Sequence, residues 1–484
     1  MATVLRKAKI ICTVGPATNT PEQLEALARA GMDVVRLNFS HGNHAEFSRI
    51  IGYIREMEPR LGKPIGIMAD IQGPKIRVGK FQNGEIELIN GREALIVPEP
   101  MVGGMEGDLA IIPTGYKDFV KDVSPGHTVL LDDGLIELRA EEKTPQGLKC
   151  KIINGGILRQ NKGINAPESS FSARSITEKD YDDILFCLER GVDFIAMSFV
   201  RMAQEVRNLK SFIQSRGKNI QLLAKIEKRE ALENLDDIID ASDGVLVARG
   251  DLAVEVGNER VPVLQKKIIK RANLRGKSVI IATQMLSSMI DNPRPTRAEA
   301  SDVANAIVDG TDAVMLSNET AVGKFPEETV HMTVKIIEEM EGEPPIWGIT
   351  AFNEWLLPPA GQLAIALLQS AVRLASVVKA KIFVVITQSG QSALLTSKCR
   401  PANRLIAMTS NKDTYRQLSL KWGVEALLVP DLRNLNGETA VFDAIGRELL
   451  KLNLCQKGDR IVITAGLPIL AHGTTNTIKV HQIQ

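Results

Sequence analysis

Gln221-Leu222-Leu223-Ala224-Lys225-Ile226-Glu227 and the run that follows it, Gly244-Val245-Leu246-Val247-Ala248-Arg249-Gly250-Asp251, decide how this chain is read. Each is a short apolar run that finishes on charge. Apolar runs without polar alternation read as parallel strands buried on both faces. Positions two apart on a strand share a face and lie about 6.5–7 Å apart. Lys225 and Glu227 therefore project together from the C-terminal end of one strand, and Asp251 sits at the same end of the next. A lysine beside two carboxylates suggests a divalent metal held by Glu227 and Asp251, with a cation alongside. Taken alone, the triplet reads as a buried ion-pair network. Its repetition along the chain is what favours a site.

Towards the N-terminus the same pattern recurs. Residues 8–15 form the first apolar strand, and Thr20-Pro21-Glu22-Gln23 is a helix start with a capping box and proline at the first position. Val34 to Ser40 is the second strand, with Arg36, Asn38 and Ser40 on alternate positions. A polar face on an apolar strand must look into something polar. Ile65 to Ile71 is the third strand, with Asp70 at its end. The period then drops to two until about Asn165, with Asp132-Asp133-Gly134 as a hairpin signal, so an antiparallel β domain is inserted here. The first pattern resumes with strands at 194–199, at the opening pair, at 278–283 and at 313–317. A capping box at Thr296 and Glu299 starts the best of the intervening helices.

Eight buried strands, each followed by a helical segment, predict a closed (β/α)8 TIM barrel. An open doubly wound sheet would share the alternation, but no Gly-x-Gly-x-x-Gly turn follows any strand. Catalytic groups of such barrels lie at the C-terminal strand ends. Arg36, Asn38, Asp70, Lys225, Glu227, Asp251, Thr283 and Glu319 all fall there. The expected layout is α/β: a catalytic barrel from residues 1–74 and 166–341, a β lid at 75–165, a Pro-rich linker at 342–360 and an open α/β domain at 361–484. In that last domain strands are expected at 381–387, 404–409, 425–429 and 459–464. Thr387-Gln388-Ser389-Gly390-Gln391-Ser392 reads equally as a phosphate cradle or a plain helix-capping turn.

Composition removes other classes. Lys and Arg number 59 and Asp and Glu 58, so no basic excess points to nucleic acid or to a membrane surface. Aromatics are only 4%, too few for base-stacking platforms. Five scattered cysteines without Cys-x-x-Cys spacing indicate neither a zinc site nor a disulfide framework. That fits a reducing, cytoplasmic setting. The first residues run directly into a strand, so no signal peptide is expected, and no apolar run reaches membrane-spanning length. Among the histidines only His41 and His44 lie close together, without acidic or cysteine partners at ligand spacing. Walker-type and protein-kinase motifs are absent, so phosphate chemistry would come from the barrel ends. Cations, hard oxygen ligands for Mg²⁺ or Mn²⁺ and a threonine hydroxyl suit phosphoryl transfer, which depends chiefly on positioning and charge.

Arg36-Leu37-Asn38-Phe39-Ser40-His41-Gly42, Ala224-Lys225-Ile226-Glu227, Ala248-Arg249-Gly250-Asp251-Leu252 and the run from Ala282-Thr283-Gln284-Met285 through Pro293-Arg294-Pro295-Thr296-Arg297-Ala298-Glu299 resemble pyruvate kinase over nearly the whole chain. The resemblance implies phosphoryl transfer from phosphoenolpyruvate to ADP, giving pyruvate and ATP, the last step of glycolysis. It implies that Glu227 and Asp251 hold Mg²⁺ or Mn²⁺, that Lys225 stabilises the migrating phosphoryl group and that Arg36 binds the phosphate. Gly250 and Thr283 would position carboxylate and enolate, with Thr283 near the proton path. Asn38, His41, Arg77 and Lys162 would contact the nucleotide, and the inserted β barrel would be a closing lid that excludes water. A cytoplasmic homotetramer is implied as well.

One departure from the family pattern is informative. K⁺-binding members read Asp-Thr-Lys-Gly-Pro-Glu where this chain reads Asp70-Ile71-Gln72-Gly73-Pro74-Lys75. In the family this lysine accompanies K⁺-independent activity, because a tethered ammonium can replace the monovalent ion. Asn38, Ser40 and Asp70 are then expected to keep their places without an essential K⁺. Smaller departures are Ala253 and Asn318 where glycine is common. By resemblance Thr387, Ser389, Gly390 and Ser392 match an effector phosphate site, and Gly473-Thr474-Thr475-Asn476 matches the loop closing over it. Gly466-Leu467-Pro468-Ile469-Leu470 lacks the Trp-Arg pattern of fructose-1,6-bisphosphate-activated members, which points to a monophosphorylated sugar or AMP. The rivals are a metal-dependent aldolase or lyase barrel, which would need no lid, and a non-catalytic sensor, which would not need Arg36, Lys225, Glu227 and Asp251 together.

Overall fold

In the computed structural model, residues 6–342, 359–430, 438–467 and 475–484 are described. Eight parallel strands close into a barrel: β1 (Lys9–Thr13), β2 (Val34–Asn38), β3 (Gly66–Asp70), β4 (Phe194–Met197), β5 (Gln221–Ile226), β6 (Gly244–Ala248), β7 (Ser278–Ala282) and β8 (Ala313–Leu316). Each pairs with its sequence neighbours, and β1 closes on β8 with Lys9 opposite Ala313. The capping boxes at Thr20 and Thr296 form as expected, and Thr177 caps a further helix over Glu178–Arg190.

The period of two explains where the polar groups go. One set of alternate residues, among them Ile11, Val34, Met68, Ala196, Leu223, Leu246, Ile280 and Met315, fills the barrel interior. The other set, including Ile10, Val35, Ile67, Ile195, Leu222, Val245, Ile281 and Val314, packs outward in a separate cluster with helix residues such as Leu24, Ile54, Ile184 and Ile268. Continuing the interior set towards the C-terminal strand ends leads from Ile11 to Thr13, Val34 to Arg36, Met68 to Asp70, Ala196 to Ser198 and Leu223 to Lys225 and Glu227. The apolar layers below thus aim the charged layer at the mouth. Each fully buried aliphatic side chain contributes about 1.5–3 kcal/mol to these layers.

The inserted domain is mixed rather than purely antiparallel. Its seven-stranded sheet runs in the order 164–165, 128–131, 136–143, 148–154, 93–98, 109–114, 104–106, and the pair 93–98 with 109–114 is parallel. A two-stranded ribbon of 85–88 and 156–159 lies beside it. The alternation of period two showed strands but not their direction. The expected hairpin at Asp132-Asp133-Gly134 forms, with all three residues at positive φ.

The C-terminal sheet has the order 424–428, 404–409, 382–386, 460–465, 477–482. Its last strand, Thr477–Gln482, runs antiparallel and is not foreseen from the sequence; with only Ile478 and Val480 apolar, Thr-Ile-Lys-Val-His-Gln lacks the apolar run of the other strands. This domain seals the base of the barrel. Leu420 joins the interior apolar cluster, and a Cβ at Gly66 would come within 2.4 Å of Ser419 Oγ. Lys398 and Asp312 form a fully buried ion pair across the same boundary. Most of the proposed linker, and Pro468 to Thr474 with the loop's first two residues, lie outside the described residues. No helix among the described residues is long and apolar enough to cross a membrane.

Candidate active site

Asp70 stands at the centre of the barrel mouth. Arg36 Nε donates to its Oδ2 at 2.8 Å and a second guanidinium nitrogen lies at 2.7 Å. Lys225 Nζ is 3.0 Å from Oδ1 on the other side. Burial alone would raise the Asp70 pKa, but Lys225 and Arg36 outweigh it and hold the carboxyl below its ordinary value. Arg36 also donates to Thr13 Oγ1 at 3.0 Å, and Thr13 donates to the Leu316 carbonyl, so β8, β1, β2 and β3 are laced together under the guanidinium.

Lys225 Nζ reaches Glu227 Oε1 at 2.9 Å and donates to Ser198 Oγ at 2.8 Å. Its pKa is raised: burial opposes the charge, but Asp70 and Glu227 more than compensate. The ammonium therefore stays charged. Glu227 is fully buried, and the Phe199 amide donates to its Oε2 at 2.8 Å. Burial raises the Glu227 pKa; Lys225 opposes this, and the nearby Asp251 carboxylate adds to it.

These observations test whether a divalent ion fits. Glu227 Oε1 is buried and touches Lys225 only as an ion pair, without a well-directed hydrogen bond. Asp251 faces the same space closely enough to push up the Glu227 pKa. Two hard oxygen donors that repel one another suit Mg²⁺ or Mn²⁺, which take one or two carboxylates and leave positions for substrate oxygens. No cluster of three or more His, Cys, Asp or Glu residues suited to a metal occurs among the described residues, so a closed protein cage is not formed.

Thr283 lies beside this centre in an uncommon conformation. Its φ is +69° and that of Gln284 +51°, a left-handed backbone that costs a β-branched residue about 1–2 kcal/mol. The surroundings hold it there. Arg249 donates to the Thr283 carbonyl at 2.7 Å and pairs with Asp302 at 2.7 Å. Thr283 Oγ1 accepts from the Gly250 amide at 2.9 Å and donates to the Ala282 carbonyl at 2.7 Å. Gly250 opens the helix Arg249–Val256 that carries Asp251.

The remaining expected residues are distributed unevenly. Lys75 Nζ lies 3.1 Å from Asp251 Oδ1, so its ion pair is with the second carboxylate and not with Asn38, Ser40 or Asp70. Asn38 Oδ1 accepts from the Ser40 amide at 3.2 Å. A cleft of about 750 Å³ between barrel and lid is lined by Lys75, Arg77, Tyr116, Arg174 and Tyr181, among others. Asn38, His41 and Lys162 are not among its lining residues; Lys162 pairs with Asp132 at 2.7 Å and His41 is exposed. His44 bonds Asp183 at 2.7 Å and stacks on Phe186, a packing role. Glu319 belongs elsewhere than expected. It is buried and accepts from the amides of Leu286 and Ser317, which makes it a structural acceptor behind the mouth.

Three residues went unread in the sequence. Ser198 and Thr13 share the interior parity of their strands, a signal that was available; Arg249 acts across strand boundaries, which spacing cannot show. In the C-terminal domain Thr387 Oγ1 accepts from the Gly390 amide at 3.0 Å, with Gly390 at φ +81°, and Ser392 Oγ meets Thr475 Oγ1 at 2.6 Å. Ser389 Oγ accepts from the Gln391 amide at 3.4 Å.

Comparison with known proteins follows this geometry. The family model described as pyruvate kinase, barrel domain, matches residues 5–330, and that described as pyruvate kinase, alpha/beta domain, matches residues 365–481. A pyruvate kinase of Sporosarcina psychrophila is 43% identical over 482 residues, 99% of this chain and 81% of the relative. Pyruvate kinase 2 of Synechocystis sp. is 43% identical over 99% of this chain and 80% of its own length. The crystal structure of a pyruvate kinase from Cryptosporidium parvum superposes with a TM-score of 0.91 at 35% identity, covering 99% of this chain and 96% of that one.

Proposed function

This chain belongs to the pyruvate kinase family, and we propose that its barrel mouth transfers the phosphoryl group of phosphoenolpyruvate to ADP through the residues described above. The observation that carries the assignment of roles is Asp70 bridging Arg36 and Lys225, with Glu227 on the far side of the ammonium. Two largely buried cations converge on one carboxylate at the mouth, where they can hold a phosphate without reorganising as charge moves. Arg36 offers its remaining donors to phosphate oxygens. Lys225, kept charged by its two carboxylate neighbours, neutralises charge on the group in transit. Glu227 and Asp251 would hold Mg²⁺ or Mn²⁺, which would supply further charge neutralisation and orient substrate oxygens. Thr283 and the helix start at Gly250 would orient the carboxylate and enolate, with the Thr283 hydroxyl near the path of the proton.

The cleft lined by Lys75 and Arg77 is the proposed approach of ADP, and closure of the lid would bring Lys162 towards it. Asn38 and His41 are proposed to meet the nucleotide together with Arg77 and Lys162. Lys75 is proposed to stand in for K⁺: its ammonium already sits against Asp251, supplying a positive charge at the mouth from the chain itself. The turn at Thr387, Ser389, Gly390 and Ser392 is proposed to bind a monophosphorylated sugar or AMP, supported by its hydroxyl-rich start to a helix. A cytoplasmic homotetramer working at the last step of glycolysis completes the reading. A coupled assay for pyruvate from phosphoenolpyruvate and ADP, run in Na⁺-only and K⁺ buffers, tests it. Divalent-ion-dependent turnover in both buffers is expected; an aldol or retro-aldol product without ATP would overturn it.

A further inference from the structure

The segment in which the lid returns to the barrel, Asn165 to Ala173, is gripped by three barrel residues, Glu255, Lys228 and Arg201, of which Lys228 adjoins Glu227 and Glu255 lies one helical turn beyond Asp251. Glu255 Oε1 accepts from Asn165 Nδ2 at 2.8 Å and from Lys228 Nζ at 2.6 Å. The Lys228 ammonium also lies 5.6 Å over the Phe171 ring, which packs in turn on Phe119 and Tyr116 of the lid. Arg201 donates to the carbonyls of Phe171 and Ala173, the latter at 2.9 Å, and is braced by Glu205.

The chain places these residues as extensions of the site. Lys228 directly follows Glu227. Glu255 stands four residues after Asp251 in the helix Arg249–Val256, on the same side of that helix. Arg201 is two residues beyond Phe199, whose amide bonds Glu227 and whose φ is +55°. Lys228 and Glu255 are both buried, so the clasp is not a solvated surface pair. Displacing the lid's return strand must pull on Glu255 and Lys228 together, and with them on the backbone that sets the spacing of Glu227 and Asp251.

We propose that Glu255 is a positioning residue: with Lys228 and Asn165 it forms a clasp that couples lid position to the geometry of the Glu227–Asp251 carboxylate pair. The proposal rests on the reading of those carboxylates as metal ligands. It names a mechanical link by which nucleotide-driven lid movement and divalent-ion binding reinforce one another, since binding that favours one lid position must favour one carboxylate spacing.

The test measures Mn²⁺ binding to the substrate-free full chain by the resonance signal of the free ion, together with amide exchange over residues 165–173. Glu255→Gln is expected to weaken Mn²⁺ about tenfold, as loss of a supporting partner does at metal sites, and to speed exchange across 165–173. Asn165→Ala, on the lid, is expected to speed exchange equally and to weaken Mn²⁺ about threefold, and to add nothing in the Glu255→Gln background. Lys228→Arg is expected to retain both properties within twofold, and Lys228→Met to lose them. If Glu255→Gln does not fold, Asn165→Ala carries the test. Faster exchange with Mn²⁺ binding unchanged in these variants would overturn the clasp, because the hinge contact would not reach the carboxylates. Failure of the unsubstituted protein to bind Mn²⁺ would overturn the metal-site reading and the clasp with it.

Discussion

Asp70 and Lys225 are joined at 3.0 Å across the top of the barrel, from strands that are not neighbours: β3 and β5 are separated by β4, whose following Ser198 bonds both side chains. The lysine that the sequence singled out is thus held by an aspartate that the family pattern would have assigned to a monovalent ion. Asp70→Asn should leave the barrel folded, remove the charge that pairs Arg36 and leave Lys225 to Glu227 and Ser198 alone. The expected result is a loss of about 100-fold in kcat/KM for phosphoenolpyruvate, the scale of a reacting group misplaced by about 1 Å. Steady-state kinetics beside a thermal melt would check it, and activity within threefold of the parent would contradict it.

Thr283 separates the work of a hydroxyl from that of a methyl group. Its Oγ1 accepts from the Gly250 amide at 2.9 Å, whereas its Cβ branch only adds strain at φ +69°. Thr283→Ser is therefore expected to keep activity within a few-fold of the parent. Thr283→Val, which keeps the strain and leaves the Gly250 amide unpaired, should lower kcat by about 10–100-fold and cost about 1–3 kcal/mol of stability. Equal activities for the two variants would remove the hydroxyl from the mechanism.

Lys75→Glu would exchange the ammonium 3.1 Å from Asp251 for a like charge. In Na⁺-only buffer this variant should fall at least about tenfold below the parent, and K⁺ at the same ionic strength should restore part of the loss by binding specifically at a carboxylate pair that repels at close range. A parent enzyme that itself needs K⁺ would show that Lys75 does not substitute for the ion.

Lys421 gives a pH signature at the base of the barrel, far from the chemistry. Its ammonium bonds Gln221 Oε1 at 2.8 Å and Ser278 Oγ at 3.1 Å, both uncharged. Burial pushes its pKa down to about 8 from the ordinary 10.5, against the pull of Asp312 and Asp243. Between those two values the unfolded chain binds more protons than the native one, so this lysine's contribution to stability rises with pH there. The stability of the parent relative to Lys421→Met should therefore grow from pH 8 to pH 10, by at most about 1.4 kcal/mol per pH unit. Urea unfolding of both proteins at matched pH measures the difference, and a constant or shrinking gap would contradict the assignment.

Much of this architecture could be read from residue order. The barrel was legible because its strands are buried on both faces and run apolar until they meet the mouth, as in Leu222 to Ile226. The same parity located Arg36, Asp70, Lys225 and Glu227. That parity marks Ser198 and Thr13 as well, whereas the other groups that escaped reading depend on partners distant in the chain. Glu319 looks like a site carboxylate on its strand end, but the Leu286 amide of another segment claims it. Lys75 meets Asp251 across 176 positions, and no spacing rule links them. Strand direction in the lid is set by pairing, so the parallel pair at 93–98 and 109–114 left no mark in either strand's own pattern.

The most direct measurement is single-turnover formation of pyruvate from enzyme-bound phosphoenolpyruvate and ADP, comparing the parent with Glu227→Gln at saturating Mg²⁺ and with the parent after chelation. A divalent ion gripped by two carboxylates beside a locked ammonium predicts that chelation abolishes the single turnover and that Glu227→Gln slows it by a factor on the order of 10³. A single turnover of normal rate in either sample would show that phosphoryl transfer in this protein does not run through that centre.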